Sequence, residues 1–471
     1  MQPSYLRSKL EAIWGVKKEF RLKVFLLTLS YFFLTATQAI WRPLKSSVFM
    51  SIVGVKYIPD AKFYLMLPLI ILIIIYSKLV DWLRRHHLFY LFAISHGLVG
   101  IILYFYLAHP IYGVENTFQD SSRVLGWVFY LFMESFGAFM SATFWAFANS
   151  VNNPKDAKNY YSIFASGSKI GGIIAAGSLY YLTQYSNIAD KILIPNCVLL
   201  GSLCIFGAAA TIYLLMKYVP GYYMHGYEAV YQMEKKREST DTSVIGFIKN
   251  SLEGVIIIAK NPYVFGIFSI IFAYEIVIVI FDYLFALAVD SQNSTIGDLT
   301  AAYALQYFFM HIISLIIALF GTAPIQRFLG VRLSLFACPL ISIIIMVITL
   351  IYPTSIMLFI ALILLRALNY GLNHPTREAL FIPTTKAVKF KSKAWTDAFG
   401  SRVAKASGSL LNKHILYGIA NASVMFSLGV TAIWVIISHF LGKTFQKVIK
   451  ANKVIGENGV NSNEATNKAT N

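Results

Sequence analysis

Apolar runs of about 20 residues, broken by short polar intervals, recur along most of the chain. That is the length an α-helix needs to cross a ~30 Å hydrocarbon core. The runs are too long and too unalternating for barrel strands, so the backbone must satisfy itself within helices. Twelve spans are predicted, at residues 24–40, 62–79, 88–109, 124–151, 162–185, 192–217, 264–289, 299–320, 333–351, 355–373, 395–419 and 422–441. The fifth and eleventh are the least apolar, being rich in Gly, Ser and charge.

The longest polar interval, 218–241, falls near the middle of the 471 residues. It divides the chain into a six-helix half at 1–217, a cytoplasmic linker at 218–262, a second six-helix half at 263–443 and a disordered cytoplasmic tail at 444–471. Residual similarity links the halves: AKNYYSIFASGSKIGG at 157–172 and SKAWTDAFGSRVAKASG at 392–408 each lead into the fifth span of their half. The basic loops after the second and eighth spans, DWLRR at 81–85 and QRFLGVR at 326–332, correspond loosely. The fold class predicted is an all-α membrane protein with twelve transmembrane helices in two pseudo-symmetric, major-facilitator-like halves.

Composition agrees, since 57% hydrophobic and 13% charged residues argue against a soluble domain of this size. The net charge of +18 lies mostly in loops, and those loops fall on one side of the spans. By the positive-inside rule both termini are cytoplasmic, while a basic cavity for an anionic substrate is a second source of the same bias. Lys23 counts with the N-terminal cytoplasmic cluster; Lys386, Lys389, Lys391 and Lys393 mark a later loop. The N-terminus, basic and amphipathic, reads as a surface helix and not as a signal peptide. Cys197, Cys204 and Cys338 sit singly in apolar runs and read as small core residues.

Charges inside spans cost roughly 2.5–3.5 kcal/mol each at mid-helix and are functional candidates by default. The first span ends in WRPLKSS, where Pro43 is expected to break or kink the helix and aim Arg42 and Lys45 at a cavity; snorkelling to the interface is the alternative. Glu134 lies deep in the fourth span, too short to snorkel, with Arg366 or Lys169 as a structural partner if it has no other role. Glu275 and Asp282 are seven apart and share a helix face, although Asp282 alone is also compatible with exposure at a helix end. Lys169, Arg402 and Lys405 sit among Gly, Ser and Ala, which serve either helix packing or room for a ligand beside a cation. Arg402 and Lys405 are three apart, and such a basic pair suits phosphate. His311 reads as hydrogen-bonded core, and Trp145 and Tyr274 as aromatic candidates for lining a cavity.

GSKIGG at 167–172 lacks the order and the preceding strand of a Walker A loop. No HExxH or GxSxG occurs, so an enzyme reading has no nucleophile or metal site, and no cofactor is called for.

WRPLKSSVFM, MESFGAFMSATFWAFANSVNNPKDAKNYYSIFASGS and PTREALFIPTTKAVKFKSKAWTDAFGSRVAKASGS together resemble, in order, the nucleotide transporter family. These are the ATP/ADP translocases of plastids and intracellular bacteria. The resemblance covers nearly the whole chain and implies twelve spans and carriage of nucleotides, ATP in exchange for ADP. It places the family's important charges on Lys45, Glu134, Glu275 and Lys405. Two departures stand out: the family's R-D-x-K-D element has lost both acids, leaving Pro43 and Ser46, and its G-K-S-G-G helix reads AKASG.

The reading that results is a nucleotide transporter in the inner membrane of a bacterium, its halves rocking about a midplane site. Lys45 and Lys405, supported by Arg42 and Arg402, neutralise phosphates, while Glu134, Glu275, Asp282 and Lys169 serve binding or coupling. Its partners are the nucleotide and the lipid bilayer, with no nucleic acid. Proton-coupled nucleotide import is the alternative within this class, and a membrane-embedded binding or assembly protein the alternative outside it.

Overall fold

The apolar runs fold as helices, which satisfy the main-chain polar groups within each segment. The computed structural model describes residues 18–224 and 254–461, apart from positions 153, 294, 319–322, 416–419, 452 and 457–458 and most positions between 386 and 399. In chain order the helices are α1 (Lys18–Ile52), α2 (Ile58–Tyr64), α3 (Met66–Trp82), α4 (Arg85–Ala108), α5 (Val124–Val151), α6 (Pro154–Tyr185) and α7 (Asp190–Tyr218). There follow α8 (Pro262–Gln292), α9 (Ile296–Ile316), α10 (Ala323–Ile351), α11 (Ser355–Leu368), α12 (His374–Ala379), α13 (Ser401–His414) and α14 (Ala420–Lys450). Two short strands, β1 (Val454–Gly456) and β2 (Gly459–Asn461), pair as an antiparallel hairpin.

Among the described residues, nine helices are long and apolar enough to cross a bilayer. The three other expected spans coincide with α3, α6 and α13. The first is 17 residues long and the last 14. Helix α6 has ample length at 32 residues, but its Gly, Ser and Lys content lowers its apolarity. The count of twelve is therefore not reproduced helix for helix. The basic residues Lys386, Lys389, Lys391 and Lys393 and the N-terminal segment 1–17 lie outside the described residues.

Three expectations need revision. Helix α1 runs unbroken through Pro43; the proline forfeits one hydrogen bond but its φ is already helical, and the Ser47 hydroxyl donates to its carbonyl oxygen at 3.2 Å. Lys23 is no solvated loop residue. It is fully buried, and its ammonium donates to the carbonyl oxygens of Val151 at 2.6 Å and Tyr223 at 2.8 Å. It thereby caps the C-terminal end of α5, where orphan carbonyls need donors. The described part of the stretch read as tail continues as helix to Lys450 and then forms the hairpin, while 462–471 lie outside the described residues. Ile455, fully buried, donates to the Pro383 carbonyl at 2.8 Å and accepts from the Thr385 amide at 2.9 Å, and the Asn261 amide donates to Gly456 at 2.7 Å.

The described residues form two units. The first comprises Met1–Val55, Ile71–Thr240 and Asp290–Ile312. In it α1 packs against α5, α6 and α7. Two glycines four apart on α6 set the α1 contact: a Cβ on Gly167 would lie 2.4 Å from Thr28, and one on Gly171 would lie 2.5 Å from the Phe32 carbonyl oxygen. The small-residue stripe of GSKIGG is thus a packing surface, as in small-xxx-small helix pairs. Trp41, buried on α1, packs on Phe132 and Phe136 and donates to the Val198 carbonyl at 3.2 Å, with Gly201 of α7 pressed against its ring.

The second unit comprises Lys56–Ile70, Asp241–Val289 and Ile313–Asn471. Helix α10 packs on α14, α2 on α13, and α10 on α11. Helix α10 bends at Gly330, whose φ of 72° is costly for a residue with a Cβ. At the α8 start, Ile257, Ile258, Val264 and Val388 form a small apolar core, with Phe268 and Trp395 against it.

Candidate functional site

In the first unit, the geometry starts from helical spacing. Gln38, Arg42 and Lys45 are four and three apart on α1, and Tyr130, Glu134, Gly137 and Ser141 are four, three and four apart on α5. Each set therefore forms one face. The faces meet. The Lys45 ammonium lies 2.7 Å from the Glu134 carboxylate and 4.7 Å from the centre of the Tyr130 ring. Arg42 runs beside Gly137, where an added Cβ would lie 3.6 Å from its guanidinium. Gln38 donates to Ser141 at 3.2 Å. Further along the same faces, the Trp145 indole donates to the Tyr31 hydroxyl at 3.3 Å, and Tyr31 stacks on Phe144. A polar seam thus runs from an aromatic cluster to a cationic end.

Glu134 is half-buried, with its side chain 22% exposed. Lys45 meets the carboxylate, because α1 runs on through Pro43 and carries Lys45 opposite α5. His311 of α9 lies against Gly172 of α6, and its Nδ1 has no hydrogen-bond partner among the described residues. The expectation of a hydrogen-bonded core histidine holds for burial but not for Nδ1. The cations Lys169 of α6 and Arg42 of α1 both lie near this ring.

In the second unit, Glu275 and Asp282 share the α8 face that their spacing implies. The Lys405 ammonium of α13 lies 3.8 Å from Glu275. Arg402 precedes Lys405 by one turn on that helix. Asp282 is ten residues from the end of α8 and is not a helix-end residue. It is ion-paired to Arg366 of α11, and Lys62 of α2 lies 3.6 Å from its other oxygen. Tyr274 is buried against Trp434 and belongs to the core. Trp145 is engaged by Tyr31 and Tyr161.

Sequence reasoning missed Tyr31, Gln38, Tyr130 and Ser141, although the 3–4 spacing of polar residues along α1 and α5 carries a signal for them. Lys62 and Asp60 were passed over because a charge at the start of a span reads as interfacial.

The sequence profile of the TLC ATP/ADP transporters matches residues 3–445. The chain belongs to the TLC ATP/ADP transporter family. Among its relatives, ADP,ATP carrier protein 1 of Chlamydia pneumoniae is 22% identical over 94% of this chain and 96% of its own length. ADP,ATP carrier protein 3 of Rickettsia felis is likewise 22% identical over 94% and 96%. The fold is similar to those of two solved transporters at 14% identity. The nucleoside transporter NupG gives a TM-score of 0.51 over 90% of this chain and 99% of that one. The xylose transporter XylE of E. coli gives 0.53 over 89% and 95%. The fold is major-facilitator-like. In this member of the TLC family, the four charges singled out by resemblance, Lys45, Glu134, Glu275 and Lys405, join as two lysine–glutamate pairs, one in each unit.

Proposed function

We propose that this protein exchanges ATP and ADP across the inner membrane of a bacterium by alternating access, with both termini cytoplasmic. The observation that supports this reading most is the pairing of each family lysine with a glutamate inside a membrane-spanning segment. A lone ammonium in such a place is costly, and a carboxylate partner offsets that cost while the carrier is empty. A phosphate oxygen is a better partner for Lys45 and Lys405, because it brings several acceptors and more negative charge. The nucleotide phosphates therefore displace Glu134 and Glu275, and Arg42 and Arg402 add the donors that a polyphosphate needs. A carrier whose lysines exchange a glutamate for a phosphate reorients most readily with a polyanion bound, which is the physical basis of exchange. Tyr31 and Trp145 supply an aromatic surface on the same seam as Lys45 for the base.

Proton-coupled import is the second reading, favoured by the loss of the family's two acids at Pro43 and Ser46. The deciding experiment is uptake of labelled ATP into proteoliposomes with and without internal ADP. Exchange predicts uptake that needs internal nucleotide and survives a protonophore; uptake without internal nucleotide that a protonophore stops favours import. Absence of uptake by folded protein for every nucleotide tried rules out both. Lys405→Ala should abolish uptake without loss of expression, and near-wild-type rates would remove it from the site.

A further inference from the structure

Helix α2 belongs to the first half of the sequence, yet it packs within the second unit, against α13. Two ion pairs hold it there. The Lys413 ammonium of α13 lies 2.5 Å from Asp60, whose side chain is only 10% exposed. Lys62, 16% exposed, lies 3.6 Å from Asp282 of α8, which Arg366 of α11 also engages. Buried Ile58, Pro59 and Ala61 seat the helix between these charges.

The positions of the partners are informative. Asp282 is seven residues beyond Glu275 on α8, and Lys413 is eight beyond Lys405 on α13. Those separations correspond to about 10.5 and about 12 Å along the helix axes. Helices α8 and α13 coincide with the seventh and eleventh expected spans, which run in the same direction, so both steps lead toward one membrane face. Helix α2 is seated at that end of both helices. Each helix that carries one member of the Lys405–Glu275 pair thus carries, two turns further out, one of the charges that hold α2. A displacement of either helix when the pair opens is delivered rigidly to α2.

We propose that α2 is a latch held on α8 and α13, with Asp60, Lys62 and Lys413 as positioning residues of the transport cycle. Both ion pairs are made in this structure, and nucleotide binding at Lys405 and Glu275 releases them. The proposal rests on the transport reading above and adds to it residues that touch no substrate.

The test uses oriented proteoliposomes of the full chain. Neutralising one partner, in Asp60→Asn or Lys413→Gln, should destabilise the closed latch and change the ratio of the nucleotide KM values on the two faces by roughly two- to fivefold, the range an incompletely buried ion pair supports. The charge exchange Asp60→Lys with Lys413→Asp should restore the ratio. A structural role alone would lower the amount of folded protein and leave that ratio unchanged. Separately, Asp60→Cys with Lys413→Cys, in a background of Cys197→Ala, Cys204→Ala and Cys338→Ala, is cross-linked by a short bis-maleimide. Exchange should stop in the cross-linked fraction, and ATP or ADP should reduce the cross-linking yield. Unchanged KM ratios in both single variants, or wild-type exchange by the cross-linked protein, would overturn the latch while leaving the transport reading intact. Absence of exchange by the wild-type protein would overturn the transport reading itself.

Discussion

Removing one charge at a time from the Lys45–Glu134 pair separates a substrate contact from its competitor. At 2.7 Å the raw attraction is about 6 kcal/mol for an effective dielectric of about 20. Desolvation of the two half-buried groups offsets most of it, and the net value of such a pair is on the order of 1 kcal/mol. Lys45→Met keeps the length and apolar stem but removes the phosphate donor. A charge-assisted hydrogen bond of about 1.5–3 kcal/mol is lost, and nucleotide binding should weaken about 10- to 150-fold. Glu134→Gln keeps the shape and an acceptor for Lys45 but no longer competes with phosphate for it. Binding should then tighten by about two- to tenfold. The maximal exchange rate should fall, because a more stable loaded state must still release its nucleotide. Nucleotide affinity is measured by isothermal titration on purified protein, and exchange in ADP-loaded proteoliposomes. If Glu134→Gln weakens binding as much as Lys45→Met does, the carboxylate touches the nucleotide and does not compete with it. If the two effects add to within about 0.3–0.5 kcal/mol in the double variant, the two residues are uncoupled and the displacement argument fails.

Three further outcomes follow from packing. In Gly171→Ala the new Cβ would lie 2.5 Å from the Phe32 carbonyl oxygen, which a side-chain movement cannot relieve, so α1 and α6 must separate at a cost of about 1–3 kcal/mol; thermal unfolding in detergent should show a lowered midpoint, and an unchanged one refutes the contact. Lys23→Met strips donors from the carbonyls of Val151 and Tyr223, at about 1–3 kcal/mol for each that stays buried and unpaired; hydrogen exchange at the C-terminal end of α5 should quicken, and unchanged protection would refute the capping role. Truncation after Lys453 removes the strand that bonds to Pro383 and Thr385; limited proteolysis should then cut at 383–385 in the truncated protein and spare the intact one, and equal cleavage of both would show that the hairpin does not protect this loop.

Much of this protein was legible from local properties. The length and apolarity of each run, against the fixed thickness of a bilayer, determine that the chain is helical and where most helices lie. The cost of a charge in hydrocarbon marks Lys45, Glu134, Glu275 and Lys405 without any coordinates, since a residue so expensive needs a reason to be there. Helical spacing also puts Glu275 and Asp282 on one face. What it does not contain is which carboxylate meets which cation. Glu134 takes Lys45, and Asp282 takes Arg366 and Lys62, because residues 84 to 220 positions apart in the chain are brought together by how the helices pack. The same limit explains the rest. Periodicity treats Lys23 as a loop cation, and polar composition makes the tail look disordered. The burial of Lys23 between two carbonyls, the seat of α2 on α13 and the pairing of Ile455 with residues 383–385 depend on contacts between distant segments, and no window of sequence contains both partners.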